Sequence, residues 1–102
     1  MKIYNIHYSD SAEEDLNELY NVICYTYLAP ITANKYVKGL NDIIRELEKN
    51  PEIYAIQTRP SLQQYGQNVR RINYKKMAII YTIHGHVVYI HRIVAASLIA
   101  GL

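Results

Sequence analysis

The chain of 102 residues has no tryptophan, no phenylalanine, one cysteine, four glycines and three prolines. A single cysteine, Cys24, permits no internal disulfide, which fits a reducing compartment; in its helical, apolar surroundings it reads as packing. No low-complexity tract, linker or internal repeat is visible. The longest apolar run, residues 93–102, is far short of the ~20 residues of a membrane span. The opening Met-Lys-Ile-Tyr-Asn-Ile turns polar too quickly for a signal peptide, so a soluble cytoplasmic protein is expected. Gly-rich phosphate loops, a Ser-His-Asp order and zinc signatures are all missing, and no cofactor or metal is expected. His84 and His86 flank Gly85 at a spacing that could bind metal, but no third ligand accompanies them.

What is present describes one globular domain, residues 1–102. Half of the residues are hydrophobic and 20% are charged, and the length suffices for a single core. The net charge of +2 is mild, with cations gathered at Arg70, Arg71, Lys75, Lys76 and Arg92. That distribution fits a nucleic acid or an acidic protein without demanding either. Eleven tyrosines replace the other aromatics. Their rings can finish a core while the hydroxyls reach its edge, and Tyr89 is the main candidate for stacking on a base.

Residues 69–93 read as three strands, rich in β-branched and aromatic residues and broken at Lys75-Lys76 and at Gly85. A two-residue turn at Lys75-Lys76 pairs Tyr74 with Met77, Asn73 with Ala78, Ile72 with Ile79, Arg71 with Ile80 and Arg70 with Tyr81. One face then carries Ile72, Tyr74, Met77, Ile79, Tyr81 and Ile83 and needs a helical cover. A second turn near Gly85 leaves Arg71, Asn73, Ala78, Ile80, Thr82, Tyr89 and His91 on the other face, expected to stay open. That face suits a partner, although a merely solvated surface is also consistent with it. Arg70 is expected to point towards the helices and pair with a carboxylate.

Upstream, residues 2–8 alternate as a short strand. Ser9, Asp10 and Ser11 are successive N-cap candidates, and Ser11 with Glu14 has capping-box spacing. Leu16, Leu19, Tyr20, Ile23 and Tyr27 mark an amphipathic helix of about 18 residues, closed by Pro30. Pro30 also suits the first position of a second helix, with Ala33, Tyr36, Val37, Leu40, Ile43 or Ile44 and Leu47 on its apolar stripe and a stop at Asn50-Pro51. Residues 51–66 predict a long surface loop anchored by Ile53, Tyr54, Ile56 and Leu62. The tail from Ala95 could end the last strand, form a helical turn or dock on a partner. The order β-α-α-β-β-β is α+β, a helical hairpin on one face of a mainly antiparallel sheet.

This order and its residues resemble the RelE/ParE superfamily of bacterial type II toxin-antitoxin (plasmid stabilisation) modules. The matching features are Ser-Ala-Glu-Glu-Asp-Leu at 11–16, Ala33 and Tyr36, and the segment from Leu47 to Asn50-Pro51. Arg71, Ile79-Ile80-Tyr81 and Tyr89 to Ile93 complete the match, which covers nearly the whole chain. The resemblance implies a toxin wrapped by an acidic cognate antitoxin, with DNA gyrase as target in the ParE-like branch and ribosome-bound mRNA in the RelE-like branch. A homodimer, or a hetero-oligomer with the antitoxin, fits this class.

RelE-like nucleases typically carry an arginine immediately before the apolar pair and tyrosine of the middle strand. Here Ala78 precedes Ile79-Ile80-Tyr81, and alanine cannot stabilise a phosphorane-like charge. Residues 94–102 also lack the Tyr or His that such nucleases often place there. Both departures, with the modest basicity, favour the ParE-like branch. The expected binding set is Arg71, Asn73, Lys75, Lys76, Ile80, Tyr89, His91 and Arg92. In the alternative nuclease reading, His91 is the general acid or base, Arg71 the phosphate clamp and Tyr89 their neighbour. A degenerate member that only pairs with its antitoxin is the third reading.

Overall fold

The computed structural model describes residues 3–99. Strand β1 (Asn5–Tyr8) is followed by helices α1 (Asp10–Asn21) and α2 (Pro30–Arg45), then by strands β2 (Arg70–Tyr74), β3 (Met77–His84) and β4 (Val87–Ala95). The sheet order is β1-β4-β3-β2, with β1 parallel to β4 and the other pairs antiparallel. All five pairs expected between β2 and β3 form. Lys75 takes the left-handed conformation that its two-residue turn requires, as does Gly85 in the next. Residue 2 of the expected first strand, and residues 100–102 of the tail, lie outside the described residues.

Ser9 is the cap that starts α1. Its Oγ accepts the Ala12 N–H at 2.9 Å and donates to the His91 carbonyl at 2.7 Å, tying the helix start to β4. Ser11 therefore falls inside the first turn, and its capping-box role is superseded. Pro30 opens α2 as expected. Leu40, Ile44 and Leu47 enter the main core against Ile72, Ile79, Tyr81, Val88, Ile90 and Ile93. Of these sheet residues, all but Ile93 hold the helix-facing positions that strand alternation demands; a one-residue register shift in β4 after Ile90 brings Ile93 to the same side.

Three expectations need correction. The first helix does not keep α geometry for 18 residues: Val22–Thr26 is a π turn, with Tyr27 N–H reaching back to the Val22 carbonyl at 3.2 Å. An extra residue per turn rotates the face, so Tyr27 projects outward instead of continuing the apolar stripe. Arg70 binds no carboxylate; it donates to the carbonyls of Glu52 at 3.0 Å and Tyr54 at 2.6 Å, holding the loop backbone. Finally, the outer face of the sheet is not fully open. The loop folds into a short 3-10 helix, Pro60–Tyr65, and Leu62 forms a second cluster with Val69, Ala78, Ile80 and Ile99. Ile99 follows a 3-10 turn, Ala96–Leu98, so the tail docks on its own domain.

Candidate functional site

A β-bulge shapes the uncovered part of the outer face. Ile80 pairs with Arg92 but Tyr81 pairs with Ile90, leaving His91 as the extra residue of β4. The bulge re-aims two side chains, as such insertions do. His91 stays on the outer face, where its Nε2 lies 2.8 Å from Thr82 Oγ1. Arg92 swings over the sheet edge to Asp15, with Nε to Oδ2 at 2.7 Å and Nη2 to Oδ1 at 3.0 Å. Asp15 Oδ2 also accepts the Ile93 N–H at 2.9 Å, so one carboxylate from α1 caps the free edge of β4 where β1 has ended. The bidentate pair raises the Arg92 pKa.

Around Thr82 the outer face holds a row of aromatic and imidazole rings. His7 of β1 stacks on Tyr89 at 5.1 Å between centroids, Tyr89 lies 4.7 Å from His91, and His91 lies 5.3 Å from Tyr65 of the 3-10 helix. Thr82 Oγ1 is also 2.7 Å from His84 Nε2. One hydroxyl carries one proton, so it can donate to only one of the two imidazoles; at least one ring must present a protonated Nε2 to it. Burial, then the nearby His84, holds the His91 pKa below its ordinary 6.5.

The expected site residues thus separate into four groups. Tyr89 and His91 share the row, whereas Arg71 turns its Nε to Asn73 Oδ1 at 2.8 Å. Lys75 sits over the rings of Tyr36 and Tyr74, 5.0 and 5.5 Å from their centroids, and Lys76 is exposed at the turn. Ile80 is only 1% exposed, beneath the second cluster, and Arg92 is committed to Asp15. Ile80 therefore supports the face as core, and Arg92 braces it. Sequence reading passed over His7 and Tyr65 in the row. The first strand's partner is not encoded locally, and Tyr65 reaches His91 only through the fold of the loop. His84 was findable, since it stands two residues after Thr82 on the same face of one strand.

A cleft of about 600 Å³ lies elsewhere, beside β1 and between the helices. Its Tyr8 hydroxyl already donates to Asn41 Oδ1 at 3.3 Å, and the ring row concentrates more chemistry. Among the described residues there is no grouping of three or more His, Cys, Asp or Glu suited to a metal ion, and no helix long and apolar enough to cross a membrane.

The family model for the ParE toxin of the type II toxin-antitoxin system, parDE, matches residues 6–97. The chain belongs to the ParE toxin family. A chain of the chromosomal ParDE toxin-antitoxin system from P. aeruginosa shares the fold, with a TM-score of 0.74 at 17% identity, covering 91% of this chain and 96% of that one. No curated protein matches the sequence. Within this ParE-family fold, the ring row and Arg71 lie on the outer face and form the candidate contact face, whereas Lys75 leans towards the helix side over Tyr36 and Tyr74.

Proposed function

We propose that this ParE-family toxin arrests growth by binding DNA gyrase rather than by cutting RNA, and that a cognate acidic antitoxin silences it by covering the Arg71–His91 face. The observation that carries this reading is the state of position 78 and its neighbouring cations. Ala78 is fully buried in the cluster with Leu62 and Ile99, Arg92 is held by Asp15, and Arg71 is turned to Asn73. Phosphoryl transfer to a 2′-hydroxyl builds charge that a positioned cation must meet, and none of these is aimed at His91. The remaining rings and the basic turn suit adhesion to a protein surface.

Gyrase supercoiling measured beside message integrity in a translation extract tests the proposal. Supercoiling should be lost while the message stays whole. RNA cleavage is favoured by one feature, two imidazoles around Thr82 with Tyr89 adjacent, and cut message with normal supercoiling would establish it instead. Expression without the antitoxin should stop growth; unimpeded growth would support the degenerate reading.

A further inference from the structure

The loop joining α1 to α2 has a property that neither the ring row nor the gyrase reading uses. Residues 19–34 contain no charged side chain. Within them Tyr25, Tyr27, Leu28 and Ile31 are 69%, 71%, 82% and 71% exposed, and Val22 is exposed beside them. Leu28 at the apex has a φ of 53°, the left-handed conformation that usually falls to glycine after a helix. A leucine there bears a conformational cost and places a large apolar side chain in water. Both are unfavourable in an isolated molecule, and both make sense if the side chain has a partner.

The surface itself indicates which partner. An acidic protein or a nucleic acid would find no cation on this tip, and a basic partner would find no carboxylate. The tip also runs into a mainly apolar groove of about 280 Å³ lined by Leu19, Val22, Met77, Val94 and the exposed Leu98; its charged lining residues are Glu18 and the mutually paired Asp15 and Arg92. Val22 belongs to both, so a projecting surface and a receiving one lie side by side on the same molecule. That is what a two-fold, isologous contact needs: each tip can enter the groove of the other copy. At ~200 Å² for an exposed tyrosine and ~100 Å² for an aliphatic side chain, a pair would bury about 1,000 Å², the lower bound for a specific interface. We infer that the hairpin tip, residues 22–31, is a self-association surface through which two copies of this chain form a weak, two-fold dimer.

Sedimentation equilibrium on the purified chain tests this directly. Reversible dimerisation with a dissociation constant on the order of 10–100 µM is expected. Tyr25→Lys combined with Ile31→Lys, at exposed positions where folding is unaffected by circular dichroism, should leave only monomer. Leu28→Gly should weaken the dimer by about tenfold and yet raise the melting temperature, because it relieves the left-handed backbone; a purely structural role for Leu28 would lower it. A wild-type chain that stays monomeric up to about 500 µM, or a dimer that persists in the folded double-lysine variant, would overturn the inference. Neither result depends on gyrase or on the antitoxin.

Discussion

Tyr81 illustrates how a chain without phenylalanine or tryptophan completes its core with phenols. Its ring is wholly buried between sheet and helices, and its hydroxyl donates to the Pro51 carbonyl at 2.6 Å. Burial pushes its pKa far above the ordinary 10. Tyr81→Phe should leave that carbonyl without a partner and cost about 1–3 kcal/mol, read as a shift in the urea midpoint with an unchanged slope. His91 behaves in the opposite sense. Because its folded-state pKa lies below 6.5, the unfolded chain takes up the proton first. The stability held by neutral His91 is complete above about pH 6.5 and is lost as pH falls below that value through the lower folded-state pKa. The melting temperature should therefore drop on acidification, and His91→Gln should flatten the curve below pH 6.5; an unaltered slope would acquit His91. Such residue-level couplings are nearly invisible in sequence. Arg92 looks like any other cation on a strand until the bulge turns it towards Asp15, 77 positions away.

At the scale of elements, α2 and the β2–β3 hairpin meet so closely that a side chain is excluded. A Cβ on Gly39 would run into the Tyr74 hydroxyl. Helix propensity alone favours Gly39→Ala by ~1 kcal/mol, but the collision should outweigh it by forcing Tyr74 aside, at about 1–3 kcal/mol. A lowered melting temperature is the expected result, and a raised one would show that Tyr74 moves freely. Tyr74 also stands edge-on to Tyr36, 5.4 Å away, so this contact holds helix and hairpin in register. Elements defined by local rules were legible in the sequence: the β2–β3 register, Pro30 at the start of α2, and Leu40, Ile44 and Leu47 as its buried stripe. Elements defined by departures from periodicity were not. Nothing in Val22-Ile-Cys-Tyr-Thr announces a π turn, and beyond it the 3.6-residue pattern points Tyr27 the wrong way. The loop before β2 reads in sequence as surface anchored by Ile53, Tyr54, Ile56 and Leu62; Ile53 and Ile56 are exposed, whereas Leu62 holds the segment over Ala78 and Ile80.

For the whole molecule, the helix-backed layer was readable from alternation and the outer layer was not, since a few docked side chains leave no periodic trace. The two layers should differ in persistence. Amides of residues 77–81 in β3 and 87–90 in β4, the stretches paired on both sides within the sheet, should exchange most slowly with deuterium. Those of residues 22–31 and 52–59, exposed and poor in regular hydrogen bonds, should exchange fastest. Uniform protection across both sets would contradict the division between layers.

The parallel pairing of β1 with β4 brings Asn5 beside Val87 and Tyr8 beside Ile90. A nascent chain leaving the ribosome holds β1 ready but has nowhere to lodge it until β4, about eighty residues later, is made. Asp15 and Ser9 likewise await Ile93 and His91. The fold thus cannot be completed by instalments: β1, Ser9 and Asp15 stay without their partners until β4 has been made, so the whole architecture sets in one late step.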